Sequence, residues 1–221
     1  MIRAVLFDMD GTLLDTQRIY NECWKYAAEK TKFQGNIDED IVAFSGMSRT
    51  DAIAYFKNKY GESFDPLPML ELRNSCEPSI AEKLGGVKLK PGVKDALTQL
   101  RAKKIRLAVA TGSPLERAEA YLSQLGIFEK FDACITGESV TYSKPHPEIF
   151  WLAADALDCP PEECVVVEDS YNGIRAGYAA GMLTVMVPDT QPPVDEIRPL
   201  LWNCIDTLDQ LPQLIFEENK N

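Results

Sequence analysis

The chain has 221 residues, a length that fits one large domain or a core domain with a smaller insert. Its 34 acidic and 23 basic residues leave a net charge of −11, which argues against nucleic-acid and anionic-membrane partners because both need a basic surface. Six cysteines without a C-x-x-C pair, and a single histidine, His146, argue against a zinc site and predict reduced thiols.

The first predicted element is a strand over residues 4–7, an apolar run that leaves no room for a signal peptide before it. A run that is apolar at every position is typical of a strand buried on both faces of a parallel sheet. No apolar run in the chain approaches the ~20 residues that span a bilayer. We therefore expect a cytoplasmic protein without a membrane partner.

Residues 16–85 show helical patterns and no strand pattern. Apolar residues with helical spacing begin this region, at Ile19, Tyr20, Cys23, Trp24 and Ala27. A further helical stretch covers about residues 69–84, with an interruption near Pro78. We predict an all-helical cap domain over residues 16–85, inserted into a core domain of residues 1–15 and 86–221, with a hinge at the two crossings.

Beyond residue 86, strand-like runs alternate with helical patterns. Strands are predicted at residues 106–110, 133–135, 164–167 and 184–187. Helices are predicted at residues 93–103, 115–125 and 148–157. This alternation implies an α/β core of the Rossmann-like kind, with a doubly wound parallel sheet.

Two carboxylates, Asp8 and Asp10, follow the first strand directly and precede Gly11. The carboxyl ends of the strands are where such sheets place their ligands. Side chains at positions i and i+2 of a regular strand point the same way, so both carboxylates can face one reacting centre. The alternative is a plain Asp-Gly turn, which needs only one of the two acids and predicts nothing about the later strands.

The second long strand is followed by Thr111, Gly112 and Ser113, just before a helix. A hydroxyl and backbone N–H groups at a helix N-terminus form an anion site. The alternative for this motif is an ordinary helix cap.

Acidic and basic residues also lie near the later strand ends. Glu168 and Asp169 follow the fourth predicted strand, and Mg²⁺ prefers such oxygen ligands. The alternatives are solvated loop acids or a helix cap at Asp169. Lys144 can offset repulsion between carboxylates and a phosphate, although a single lysine is most often a solvated surface residue.

Together these motifs resemble the haloacid dehalogenase superfamily over nearly the whole chain. The four motifs occur in the family's order, as Asp8-x-Asp10-Gly11-Thr12, Thr111, Lys144 and Glu168-Asp169. The helical insert resembles the family's C1 cap. The branch that the chain most resembles contains sugar-phosphate phosphatases and β-phosphoglucomutases, which implies phosphoryl transfer.

The resemblance implies a role for each carboxylate of the first motif. Asp8 would attack phosphorus and form an aspartyl-phosphate. Asp10 would act as general acid on the leaving oxygen and then as general base on the attacking water. Closure of the cap would exclude water until it is needed.

The resemblance also implies a binding role for the remaining motif residues. The ligands of Mg²⁺ would be Asp8, the backbone carbonyl of Asp10 and Asp169, with Glu168 beside them or bound through water. Thr111 and Lys144 would hold the phosphoryl oxygens, and the adjacent Gly112 and Ser113 would help to bind the substrate.

Hydrolysis and phosphosugar transfer remain open as alternatives. The family's dehalogenases lack the second aspartate, so Asp10 favours phosphoryl transfer, and the cap stretch 44–49 lacks the lysine of the phosphonatases. Asp15-Thr16 and the cap motif Gly46-x-Ser48-Arg49 resemble the β-phosphoglucomutases. By this resemblance Arg49 would clamp a second phosphate, and the alternative is an arginine on the surface of a helix. Those mutases carry a histidine at the position of Tyr20 and a lysine at that of Ser45. We therefore expect a phosphatase, with a mutase as the alternative.

The expected partner is a small phosphate ester, and a sugar phosphate is favoured by resemblance. Thr16, Tyr20 and Arg49 are candidate substrate-binding residues of the cap, although Tyr20 at helical spacing is more often a core residue. His146 lies between two prolines and is expected to serve a structural turn. We expect a monomer, because the cap already covers the site. An idle phosphate-binding module on the same fold is a third possibility.

Overall fold

The computed structural model describes residues 1–44 and 49–220, without the side chains of Phe44, Arg49 and Asp51. The chain divides into two compact units. The first consists of Met1–Asp15 together with Lys88–Asn221, and the second of Thr16–Val87.

The first unit alternates strands and helices along the chain. Its strands are β1 (Ala4–Phe7), β2 (Arg106–Thr111), β3 (Ala133–Thr136), β4 (Cys164–Glu168), β5 (Leu183–Met186) and β6 (Asn203–Cys204). Its helices, numbered after those of the second unit, are α6 (Val93–Ala102), α7 (Leu115–Gln124), α8 (Glu148–Ala156), α9 (Tyr171–Ala179) and α10 (Leu211–Glu218).

All six strands described in the first unit form one parallel sheet with the order β3-β2-β1-β4-β5-β6. Strand β1 is central, and its register places Phe7 opposite Val109 of β2 and opposite Val167 of β4. The carboxyl ends of these three strands therefore meet at one edge of the sheet.

Both faces of the central strands are covered. Alternate residues such as Leu6, Ala108 and Val166 pack with α8 and α9 in one hydrophobic cluster. The residues between them point to the opposite face and are also fully buried, as at Val5, Phe7, Val109, Val165 and Val167. The fold is thus a Rossmann-like α/β core with a doubly wound parallel sheet, as the sequence predicts.

The second unit is helical throughout its described residues. Its helices are α1 (Gln17–Lys30), α2 (Ile37–Phe44), α3 (Arg49–Tyr60), α4 (Leu67–Ser75) and α5 (Glu77–Lys83). Its core contains Trp24, Phe56 and Met69. The buried carboxylate of Asp40 accepts hydrogen bonds from the hydroxyls of Tyr55 and Tyr60 (each 2.7 Å).

Several elements differ from the sequence prediction. The predicted stretch near residues 69–84 consists of two helices that are separated at Cys76, and Pro78 lies in the first turn of α5, where its missing N–H costs nothing. Helices α2, α9 and α10 and the two-residue strand β6 were not predicted.

All six cysteines lie within the described residues, and none of them forms a disulfide.

Candidate active site

The predicted motif residues of the first unit converge at the carboxyl edge of the sheet. Asp8 follows β1, Thr111 ends β2 and Glu168 ends β4. The backbone N–H of Asp8 still donates to the carbonyl of Val167 (3.0 Å), so β4 holds the first residue beyond the strand in place.

A tight turn carries the chain away from Asp8. The carbonyl of Met9 accepts the N–H groups of Leu13 and Leu14. Gly11 has a φ of +88°, and a Cβ at this position would lie 2.3 Å from Oδ2 of Asp169. Only glycine satisfies both the backbone conformation and this close approach.

Lys144 joins the two strand ends. Its ammonium group donates to Asp8 (2.6 Å), to Glu168 (2.7 Å) and to the carbonyl of Ala110 (2.8 Å). Burial lowers the pKa of Lys144, but the two carboxylates outweigh burial and raise it above its usual range. The lysine is therefore held as a cation between two acids.

The carboxyl groups at this edge are crowded and poorly solvated. Burial and the neighbouring Glu168 raise the pKa of Asp8 to about 8, although Lys144 opposes the shift. Burial, followed by repulsion from Glu168 and Asp8, raises the pKa of Asp169 well above its usual range. One buried lysine does not neutralise this group of acids, so a further cation would relieve the repulsion.

Asp8, Glu168 and Asp169 form a group that can hold a metal ion. One carboxylate oxygen from each lies within 4.8 Å of the others. An all-oxygen donor set that is rich in negative charge fits Mg²⁺. The Asp10 carboxylate does not belong to this group among the described residues.

The start of α9 fixes the Glu168 carboxylate. Ser170 donates to Oε2 of Glu168 through both its backbone N–H (3.1 Å) and its hydroxyl (2.9 Å). The same hydroxyl accepts the backbone N–H of Gly173 and so caps the helix. Sequence reasoning missed both residues, because helix α9 was not predicted; a serine is a common residue at a helix N-cap.

Asp10 is held by a different group of residues. Oδ2 of Asp10 accepts from the hydroxyl of Ser113 (2.8 Å), and the guanidinium of Arg117 donates to both Asp10 oxygens (each 2.9 Å). Sequence reasoning placed Ser113 in the site but missed Arg117. Ser113 precedes α7, whereas Arg117 lies in its first turn, so no local pattern in the sequence indicates that both side chains contact Asp10.

Thr111 and Gly112 complete the part of the site that comes from the first unit. Thr111 is buried, and its hydroxyl accepts the backbone N–H of Ser113 (3.1 Å). A Cβ at Gly112 would meet no atom within 4 Å, so space lies open beside its backbone.

The candidate residues from residue 16 to residue 49 belong to the second unit. Thr16 is buried, and its carbonyl accepts the N–H groups of Ile19 and Tyr20. The guanidinium of Arg73 lies 4.3 Å from the ring centroid of Tyr20. The Arg49 side chain and all of Ser45 are outside the described residues, so their expected roles stay predictions.

His146 takes part in a surface turn. Its backbone N–H donates to Ser143, and its Nδ1 accepts the N–H of Glu148 (3.3 Å). The ring of Tyr142 lies 4.8 Å away, measured between centroids. The hydrogen bonds of His146 thus join it to its neighbours along the chain, as expected for a residue that stabilises a turn.

The arrangement combines a buried carboxylate and a mostly buried cation with a group of acids that can hold a metal ion. Asp8 is a potential nucleophile, and Lys144 can offset the charge of an incoming anion. Asp10 is a second carboxylate at the same turn, and it accepts hydrogen bonds from different residues, Ser113 and Arg117. Such a site suits substitution at an anionic centre.

Comparisons with known proteins agree with this chemistry. Residues 2–181 match the family described as haloacid dehalogenase-like hydrolase. The chain is 32% identical to the phosphorylated carbohydrates phosphatase of Thermotoga maritima over 82% of each chain. It is 31% identical to the β-phosphoglucomutase of Bacillus subtilis over 86% of this chain and 85% of the relative.

A solved structure supports the same relationship. The structure of CbbY from Rhodobacter sphaeroides in complex with phosphate superimposes with a TM-score of 0.78. The sequences are 27% identical, and the superposition covers 96% of each chain.

No helix in the described part of this chain has the length and apolar character to cross a membrane.

Proposed function

Because the chain belongs to the haloacid dehalogenase-like hydrolases, we propose that it is a Mg²⁺-dependent phosphatase that hydrolyses a small sugar phosphate through an aspartyl-phosphate on Asp8. The observation that carries this proposal is the contact of the Asp8 carboxylate with Lys144 beside Glu168 and Asp169. It unites a nucleophile, a fixed cation and a metal-binding group.

The first chemical step transfers the phosphoryl group to the enzyme. A carboxylate oxygen of Asp8 attacks phosphorus, and the bond between phosphorus and the ester oxygen breaks. Asp10 gives its proton to the departing alkoxide, which leaves as an alcohol.

The second step returns Asp8 to its starting state. Asp10, now a carboxylate, takes a proton from a water molecule, and that water attacks the phosphorus of the aspartyl-phosphate. The acyl phosphate bond breaks, which releases inorganic phosphate and regenerates both aspartates.

The residues that would hold Mg²⁺ are Asp8, Asp169 and the backbone carbonyl of Asp10, with Glu168 bound directly or through water. When bound, the cation neutralises the negative charge of the nucleophile and of the phosphoryl oxygens. Fit to this donor set is supported by three carboxylate oxygens that lie within 4.8 Å of one another. Burial, together with mutual repulsion, raises the pKa of Asp8 and of Asp169.

The phosphoryl oxygens are bound by groups from two strand ends. Lys144 is positioned on Asp8 and can donate to an oxygen of the incoming phosphate. Thr111 and the backbone around Gly112 and Ser113 supply a hydroxyl and N–H groups before α7.

The substrate class rests on similarity. The Thermotoga maritima relative is named for phosphorylated carbohydrates, which supports a phosphorylated sugar as substrate. Thr16, Tyr20 and Arg49 are the cap residues that we propose to contact it. We further propose a cytoplasmic monomer that needs neither nucleic acid nor membrane.

Phosphosugar transfer is the second candidate function, because the chain is similar to a β-phosphoglucomutase over most of its length. Tyr20 stands where those mutases carry histidine, and its ring lies against Arg73. The departures at Tyr20 and Ser45 favour water as the acceptor.

The test is phosphate release by the purified protein over a panel of sugar, nucleotide and short-acid phosphates. Each substrate is assayed with Mg²⁺ and, in parallel, with a chelator. Metal-dependent release from sugar phosphates is the expected result. Formation of glucose 6-phosphate from β-glucose 1-phosphate with a bisphosphate primer, without phosphate release, would replace hydrolysis by the mutase reaction. Binding without either reaction would indicate an idle module.

A further inference from the structure

Arg117 makes a two-point contact with a carboxylate of the candidate site. Its Nη1 donates to Oδ2 of Asp10 and its Nη2 to Oδ1, each over 2.9 Å. Both side chains are mostly buried, with 17% of the Arg117 side chain and 19% of the Asp10 side chain exposed. The two planar groups therefore face each other in the geometry that best orients a carboxylate.

The guanidinium of Arg117 is itself held from more than one side. Its Nη1 also donates to the hydroxyl of Ser113 (2.5 Å), and that hydroxyl donates to Asp10. Its centre lies 5.0 Å from the ring centroid of Tyr121, four residues further along α7. The arginine is thus held by Ser113, which precedes α7, and by Tyr121, one turn further along the helix.

The two aspartates of the turn are held by different kinds of cation. Lys144 binds Asp8 with a single ammonium group that also serves Glu168. Arg117 binds Asp10 through a planar fork that restrains rotation of the carboxylate. A point cation beside Asp8 leaves its orientation adaptable, whereas the fork prescribes the direction of the Asp10 oxygens.

We propose that Arg117 is a positioning residue that orients Asp10 for proton transfer to the leaving oxygen. The two-point contact belongs to the ionised carboxylate, and when Asp10 carries the proton on one oxygen, Arg117 holds the other oxygen. This inference rests on the proposed phosphatase function. Arg117 touches neither the phosphoryl group nor the nucleophile in this role, and it acts through Asp10 alone.

The role has a chemical signature. An alkoxide is a poor leaving group, so cleavage of a sugar phosphate needs the proton that Asp10 supplies in the first step. A nitrophenolate leaves without protonation. Because kcat/KM reports the steps up to the first irreversible one, a misaligned Asp10 should lower kcat/KM for an alkyl ester much more than for p-nitrophenyl phosphate.

The experiment compares wild type with Arg117→Met, Arg117→Lys and a control, Arg101→Met. Arg101 also pairs with an aspartate, Asp132, but at the end of α6, and Asp132 accepts the N–H of Leu107 near the start of β2, away from the site. The substrates are p-nitrophenyl phosphate and whichever sugar phosphate of the panel the wild-type enzyme hydrolyses fastest.

Arg117→Met should lower kcat/KM for the sugar phosphate by about 10- to 100-fold and that for the aryl ester by less than about threefold. Arg117→Lys should recover part of the loss, since an ammonium can bind one oxygen of Asp10 but cannot form the fork. The Arg101 variant should change both values alike and little.

Equal losses on the two esters in a variant that unfolds at the wild-type temperature, or no loss on either ester, would overturn the positioning role. Metal-dependent hydrolysis by the wild-type enzyme tests the proposed function separately, so the two ideas fail in distinguishable ways. Thermal unfolding of all variants identifies any variant that has lost its fold. A loss of activity that comes from misfolding would also affect both esters equally.

Discussion

Asp8 and Asp10 are two residues apart, yet different cations hold them. Lys144 contacts Asp8 from the loop before α8, and Arg117 contacts Asp10 from α7. Burial and repulsion from Glu168 outweigh Lys144 in their effect on the pKa of Asp8. The chemistry of each carboxylate is therefore set by its contacts and not by its place in the motif.

Asp8→Asn should abolish turnover, by about 10³-fold or more, because an amide cannot attack phosphorus to form the acyl phosphate. The size of the side chain is conserved, so the fold should remain. Phosphate release and thermal unfolding measure the two effects. Asp195→Asn, at an exposed aspartate that pairs with Arg198, is the matched control. Substantial activity in the Asp8 variant would refute the nucleophile assignment.

Binding of Mg²⁺ should weaken as the pH falls. In the metal-free protein the pKa of Asp8 is raised to about 8, mainly by burial, so below that pH the folded protein binds a proton that a metal ligand must release. The apparent affinity should drop by up to about tenfold per pH unit for each proton displaced, between about pH 8 and about pH 6.

Calorimetry in two buffers with different ionisation enthalpies measures the protons released. At least about one proton should be released at about pH 6 and fewer at about pH 9, because the pKa of Asp169, a second proposed ligand, is also raised. Because the folded pKa exceeds the unfolded value, the folded protein binds the proton more tightly. Ionisation of Asp8 should therefore lower metal-free stability as the pH rises from about 4 to about 8. An affinity that is independent of pH would contradict the assignment of Asp8 as a ligand.

At the scale of the elements, the site depends on how closely α9 approaches β4. Gly173 and Gly177 lie on the buried face of α9. A Cβ at Gly173 would lie 1.8 Å from the carboxyl carbon of Glu168, whereas a Cβ at Gly177 would lie 2.9 Å from a methyl of Thr184. The helix thus approaches the candidate metal group more closely than it approaches the apolar core.

Gly173→Ala should lower the free energy of unfolding by about 1–3 kcal/mol, because Glu168 must move away from Ser170 and Lys144. Gly177→Ala, on the same face of the same helix, should cost less, since a methyl group yields by a smaller shift. Urea denaturation measures both changes. A larger cost at Gly177 would show that the restraint on Glu168 is weaker than the contacts indicate.

At the scale of the whole molecule, the two ends of the chain are joined. The side chain of Asn219 accepts the N–H of Ile2 (2.6 Å) and donates to the carbonyl of Ile2 (2.9 Å). These residues lie 217 positions apart, and Ile2 lies two residues before the central strand β1. The last helix, α10, therefore contributes to anchoring the strand that carries Asp8.

Asn219→Ala should lower the free energy of unfolding by about 1–2 kcal/mol, because two partly buried backbone groups lose their partners. Asn203→Ala is the control. Within the described part of the chain, the Asn203 side chain accepts a hydrogen bond from the adjacent N–H of Cys204 alone, at an exposed position, and the cost should stay within about 0.5 kcal/mol. Equal costs in urea denaturation would mean that the ends of the chain are not coupled.

The sequence by itself determined the kind of fold and the main motif residues. Runs that are apolar at every position mark strands buried on both faces, so β1, β2 and β4 were predicted nearly in full. Polar residues directly after them had to meet at one edge, since parallel strands share their direction. Asp8, Thr111, Lys144 and Glu168 were found in this way and through the family resemblance.

Only the tertiary structure decided the strand order, the short strand β6 and the partners of each carboxylate. Two residues are too few to form a periodic pattern, and the contact between Arg117 and Asp10 joins positions 107 apart. Sequence patterns report local conformation and burial, whereas such pairings depend on how α7 and α9 pack against the sheet. That packing sets the directions of side chains that no local pattern distinguishes from solvated surface residues.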